Sequence, residues 1–318
     1  MRRILLLAAA LVLAVAGCGG GDEAADTSST PAATATTAAT DDVFAYDAAA
    51  PLRYRDLGRV NEQSKLQVRN VVFAGAQDKA VQGFLVLPPG KGPFPAVIYL
   101  HGSGGDRVEL LGLGAWLAAR GAVALTIDSP FVSAQSRGTG MEALRTEHDL
   151  AVRSIVDTRR AVDMLQALPQ VDDDRIGLVG FSAGARTAAV LAGVEHRISS
   201  YVLWSGGSEP VTAYTDRLPT DLRLEAGQLL TDVDPLRWIK GSTSALLFQD
   251  GRKDEVVPRA ALVRLARAAP EPKELRWYPA GHQLDAKAYR DQLDWLTERL
   301  QITGPPVPGA DTGPPTGG

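Results

Sequence analysis

Among 318 residues there is a single cysteine. One thiol excludes an internal disulfide, so the fold must draw its stability from its core, and it excludes a thiolate metal centre. Histidines number four and none belongs to an HExxH pair, so neither a metal nor another cofactor is expected. Basic charge is not in excess either. The formal net charge is −4, and without Arg2 and Arg3 the remainder stands at −6, which leaves no electrostatic footprint for nucleic acid. The apolar run from Ile4 to Ala16 is about 13 residues, short of the roughly 20 that a bilayer crossing needs. No internal repeat is visible.

What is present begins with "MRRILLLAAALVLAVAGC". A basic start, a short apolar stretch and small residues before a cysteine read as a signal peptide over residues 1–17. "VAGC" resembles the bacterial lipoprotein signal, which implies cleavage before Cys18, lipidation of its thiol and an extracytoplasmic domain lipid-anchored to the bacterial cell membrane. The rest of the segment 18–42 holds Gly, Ala, Ser, Thr, Pro and acids without one large apolar side chain. It cannot bury enough surface to offset its ordering entropy, and reads as a flexible tether. The Pro/Gly-rich tail 304–318 reads as disordered. In a chain that is 45% apolar, residues 43–303 suffice for one α/β domain with a substantial core.

Within that domain, apolar strand patterns alternate with helical ones. Residues 66–74 and 81–89 predict an antiparallel hairpin; 95–101, 122–128, 175–181, 198–206, 244–250 and 273–279 predict further strands of one mostly parallel, eight-stranded sheet. "DLAVRSIVDTRRAVDMLQAL" at 149–168 sets Ala151, Ile155, Val162 and Leu165 on one helical face. Shorter helical patterns follow the other strands, so helices cover both faces of the sheet. Ligands in such sheets bind beyond the carboxyl ends of the strands.

Ser182 stands where that rule looks for chemistry. "RIGLVGF" is a strand, "AGARTAAVLAG" a helix start, and Gly180 and Gly184 flank the serine in G-x-S-x-G, as a nucleophile elbow requires. Of the histidines, only His101 and His282 end strands; His148 and His196 read as solvated helix-end and turn residues. The base of this architecture comes late in the chain, which selects His282. "DGRKDEVVP" supplies the acid that orients the imidazole, with Asp254 in the loop favoured and Asp250 at the strand end expected to shape the turn. Two N–H groups must meet the oxyanion. Ala183 offers one and the "HGSGG" loop the other, from Ser103 or else Gly104. Asp128 reads as a turn former.

Taken together, "LHGSGG", "GFSAG", "DGRKDEVVP" and "AGH" in this order resemble the α/β-hydrolase superfamily over nearly all of residues 60–302. "DTRRAVDMLQALPQVDDDRIGLVGFSAGA" is similar to its dienelactone hydrolase-like and acyl-aminoacyl peptidase-like branch, with serine where dienelactone hydrolases carry cysteine. The resemblance implies a serine hydrolase acting on small carboxylic esters of short or medium acyl length through an acyl-enzyme. The same triad also serves peptidases and amidases, and the fold can persist as a non-catalytic binding module. Residues 207–243 form a possible small lid, and His101, Gly104, Tyr214 and Trp238 are candidate pocket walls. With three methionines in the chain, nothing announces a long lipid-acyl tunnel.

Overall fold

The computed structural model describes residues 43–60, 65–132 and 140–304. The segments read as a signal peptide (1–17), as a tether with Cys18 (18–42) and as a tail beyond Gly304 lie outside them. Strands β1 (Arg55–Arg59), β2 (Gln67–Ala74), β3 (Ala80–Leu87), β4 (Phe94–Leu100), β5 (Val123–Ile127), β6 (Val171–Phe181), β7 (Ile198–Trp204), β8 (Ala245–Gly251) and β9 (Lys273–Tyr278) join one sheet in the order β1-β2-β3-β5-β4-β6-β7-β8-β9. β1, β2 and β3 pair antiparallel, as do β3 and β5, and every pairing from β5 through β4 to β9 is parallel.

The sheet therefore has nine strands where eight were expected. The extra one, "RDLGR", is an exposed edge strand with a register break between Asp56 and Arg59. It has no apolar alternation to betray it, and its charged side chains suit an edge, where Asp56 pairs with Arg69 of β2.

The central strands are apolar throughout because both faces are covered. Ile98 and Leu178 pack in one core layer with Ile155, Leu191 and Tyr201, while their neighbours Val97 and Val179 pack in the other with Trp116, Val202 and Trp295. The helices behind these layers are α1 (Leu111–Ala118), α2 (Gly140–Gln166), α3 (Ala183–Val194), α4 (Val211–Thr215), α5 (Arg223–Asp232), α6 (Pro235–Trp238), α7 (Arg259–Ala268) and α8 (Ala286–Arg299).

Two of these helical segments border a cavity. α2 begins at Gly140, well before the predicted start at 149, so its first turns run on past the core. The segment 207–243 carries the short helices α4, α5 and α6, and α5 leans on that early part of α2 through the ion pair Arg145–Glu225, 2.5 Å. A cavity opens between them.

Candidate active site

The elbow is made by backbone crowding. A Cβ at Gly180 would stand 2.3 Å from the Gly184 carbonyl oxygen, and a Cβ at Gly184 would stand 2.3 Å from that of Leu100. Glycine at both positions lets α3 start directly against the end of β6. The chain then reverses at Ser182, held at φ 53°, ψ −107° with its N–H donating to the Trp204 carbonyl at 2.9 Å. Non-glycine residues adopt such a conformation only when their surroundings enforce it, and here it presents the hydroxyl above the sheet edge.

Three sequence candidates meet there. Ser182 Oγ lies 3.0 Å from His282 Nε2, and His282 Nδ1 lies 2.8 Å from Asp254 Oδ2. With Nδ1–H donating to the carboxylate, Nε2 is left to accept the serine proton. Asp254 Oδ1 accepts the N–H groups of Val256 and Val257, at 2.7 and 3.0 Å. Burial works against the charge on Asp254, but the His282 imidazole and these two N–H groups outweigh it and hold the carboxyl below its ordinary value. The His282 ring rests 5.1 Å from that of Phe181, so the imidazole is held by packing as well as by hydrogen bonds.

The oxyanion candidates separate cleanly. Gly104 gives its N–H to the Phe131 carbonyl at 2.9 Å, so it is spent. Ser103 and Ala183 donate no backbone hydrogen bond to any described residue, and both border one cavity of about 380 Å³. Ile155, Val190, Leu229, Leu230 and Val233 make its walls mostly apolar, and Tyr214 lines it as expected.

Other candidates do not reach this cavity. Trp238 packs against Phe44, ring centroids 5.2 Å apart, and its Nε1–H donates to the Asp232 carbonyl; it is half-buried against the core. His101 is buried, accepting the Ser129 N–H at Nε2, with Nδ1 2.6 Å from the Gly102 carbonyl. Both ring nitrogens are thus engaged in shaping the loop that carries Ser103. Asp128 accepts the backbone N–H and the guanidinium of Arg107, 21 residues away, so it ties the loop after β4 to the end of β5 instead of forming the local turn read from sequence. The carboxylates of Asp172, Asp173 and Asp174 approach one another within 4.8 Å at the start of β6, where Asp172 already pairs with Arg175.

His148 is the pocket residue that the sequence reading missed. Far from being solvated, it lines the cavity, its Nδ1 3.1 Å from Asp149 and its Nε2 3.6 Å from Asp232 Oδ2 of α5. The signal was available: Leu144, His148, Ala151 and Ile155 follow the i, i+4, i+7 spacing of one helix face, and all four line the cavity. His196 is exposed, as expected.

Comparison with known proteins adds family to geometry. The profile described as "Esterase FrsA-like" matches residues 39–206, and that of the "BAAT / Acyl-CoA thioester hydrolase C terminal" matches residues 159–262. The chain is 27% identical over 150 residues to Esterase FrsA of Enterobacter sp. (strain 638), covering 47% of this chain and 34% of that one. It is 31% identical over 153 residues to 2,6-dihydropseudooxynicotine hydrolase of Paenarthrobacter nicotinovorans, covering 48% and 38%. The chain thus spans well under half the length of these two relatives. Among solved structures, the acetyl xylan esterase from Paenibacillus sp. R4 superposes with a TM-score of 0.66 at 21% identity, over 78% of this chain and 89% of that one. That likeness establishes the α/β-hydrolase fold, and with a family profile covering more than half its length the chain belongs to the FrsA-like esterases.

Proposed function

We propose that the protein hydrolyses carboxylic esters of short to medium acyl length, with Ser182 as nucleophile, His282 as base and Asp254 as its orienting acid. The observation that carries this reading is the unbroken line of hydrogen bonds, 3.0 Å from Ser182 to His282 and 2.8 Å on to Asp254, beside two undonated N–H groups.

His282 Nε2 takes the hydroxyl proton as Ser182 Oγ attacks the ester carbonyl. The carbonyl oxygen becomes an oxyanion received by the N–H groups of Ser103 and Ala183, and Asp254 stabilises the imidazolium. His282 returns the proton to the departing alcohol. Water then attacks the acyl-serine by the same route, His282 accepting its proton and giving it to Ser182, which frees the acid. A cavity of about 380 Å³ stands near the lower end of ordinary ligand pockets, roughly 300–1,000 Å³, which favours short or medium acyl groups. The resemblance to the dienelactone hydrolase-like branch points the same way.

The match to the acyl-CoA thioester hydrolase profile over 159–262 favours thioesters as a second substrate class for the same chemistry. A panel of chromogenic oxygen esters of rising acyl length, with matched thioesters, decides between them. Wild type should turn over acetyl to hexanoyl esters and Ser182→Ala should lose at least about 1,000-fold; equal rates for both proteins would end the reading.

We further propose that the domain is held outside the bacterial membrane through lipid on Cys18. The "VAGC" sequence supports this. Cys18→Ser should release the domain or leave the precursor uncleaved, and a cleaved, membrane-retained product would rule the anchor out.

A further inference from the structure

Behind the His282–Asp254 pair lies a second carboxyl group that the mechanism above leaves idle. Asp250 is fully buried near the end of β8. Its Oδ1 accepts the Gly251 N–H at 2.8 Å, and its Oδ2 is buried with no donor. Ser205, buried at the end of β7 with φ 49°, lies beside it, but the Ser205 hydroxyl gives its proton to the His282 carbonyl at 2.8 Å. The Asp254 carboxylate is its charged neighbour on the other side. Two carboxylates sharing such a site cannot both ionise at ordinary cost, and an oxygen that no donor serves is the natural seat of a proton.

We propose that Asp250 works as the neutral acid, its Oδ2–H donating to the Asp254 carboxylate, and so is a positioning residue that aims Asp254 at His282. This rests on the catalytic reading of the triad. Burial first, and then the Asp254 carboxylate, push Asp250 up to about 7, in line with that protonation state. Asp254 is the charge acting on it from its own loop; His282 stands beyond Asp254, Ser205 brings only a hydroxyl, and Arg252 and Lys253 point into solvent. A carboxylic acid kept neutral so that it can donate is a known use of an apolar site.

Asp250→Leu removes the donor, and Asp250→Asn keeps a donor that cannot ionise. Both are compared with wild type in kcat and KM across pH, with fluorophosphonate labelling of Ser182 to count competent sites. Asp250→Leu should lose kcat per labelled site on the order of 10- to 100-fold, the worth of one hydrogen bond to a charged group, with KM little moved. Asp250→Asn should recover most of that loss and lack an alkaline ionisation that wild type shows in kcat. Wild-type kcat in Asp250→Leu, or identical pH profiles for wild type and Asp250→Asn, would overturn the proposal. Should Asp250→Leu fail to label, the comparison of pH profiles decides alone. Full activity in Ser182→Ala would instead sink the catalytic reading itself, so the two failures are distinguishable.

Discussion

At position 182 the backbone sets the geometry before the side chain acts. Ser182 keeps a positive φ because Gly180 and Gly184 bring β6, α3 and the end of β4 into contact without a Cβ between them. Gly184→Ala should therefore destabilise the fold by about 1–3 kcal/mol through overpacking and slow fluorophosphonate labelling by moving the hydroxyl; thermal denaturation and labelling rates measured together check both. The glycines, the serine, His282 and Asp254 were legible because each carries a local requirement that few residue types meet.

Asp250 was read as shaping the turn: Asp254 is only four residues on, but the burial of Asp250 comes from β8 lying between β7 and β9, which the local sequence does not show. It also sets a pH dependence. Unfolded, it ionises near its ordinary 3.8; folded, it keeps its proton to about 7. The folded state binds more protons in that window, so this group makes stability fall as pH rises from about 4 to about 7 and level off above it. Asp250→Asn should remove that slope, leaving a variant whose advantage in Tm over wild type grows from pH 5 to pH 8. An advantage that is constant with pH would contradict it.

At the scale of elements, the cavity rests on where α2 starts. Its last four turns belong to the core and were read from their apolar face, whereas its first turns carry Leu144 and His148 to the cavity. A helix face that lines a pocket mixes polar with apolar residues, so its periodicity weakens where its function begins. β1 escaped notice for a related reason, being an exposed edge strand with no buried face.

Because Ala151 lines the cavity on α2, enlarging it should shorten the acyl chain accepted. Ala151→Phe should leave acetyl ester turnover within about threefold and lower kcat/KM for hexanoyl esters on the order of 10-fold, about 1.4 kcal/mol, within the range that one or two methylenes command in a pocket. Parallel losses for both esters would place the acyl group elsewhere.

Across the whole molecule, the start of the described domain is stapled to the far half of α2. Phe44 is buried, Arg159 donates to its carbonyl, and Arg160 donates to the carbonyls of Ala48, Ala50 and Ala74 while pairing with Asp163 at 2.9 Å. Arg197 joins this group through Asp163 and Glu195, both at 2.6 Å. None of these partners is near Arg160 in sequence except Asp163, so the staple was invisible before the fold was known. Arg160→Ala removes the donor shared by the Ala48, Ala50 and Ala74 carbonyls while Asp163 keeps Arg197, and should cost about 1–3 kcal/mol of stability. The loss should appear in the denaturant midpoint while kcat below the transition is unchanged; a midpoint within error of wild type would show that the staple bears no load.

The claim on which the rest depends is that Ser182 is a nucleophile driven by His282. Intact mass after incubation with a fluorophosphonate tests it most directly. One adduct per chain, mapped to Ser182, lost in Ser182→Ala and formed at least about 100-fold more slowly in His282→Ala, is the result expected of a base worth 10²–10⁴ in rate. No adduct on the folded protein, or one that forms equally fast without His282, would contradict it.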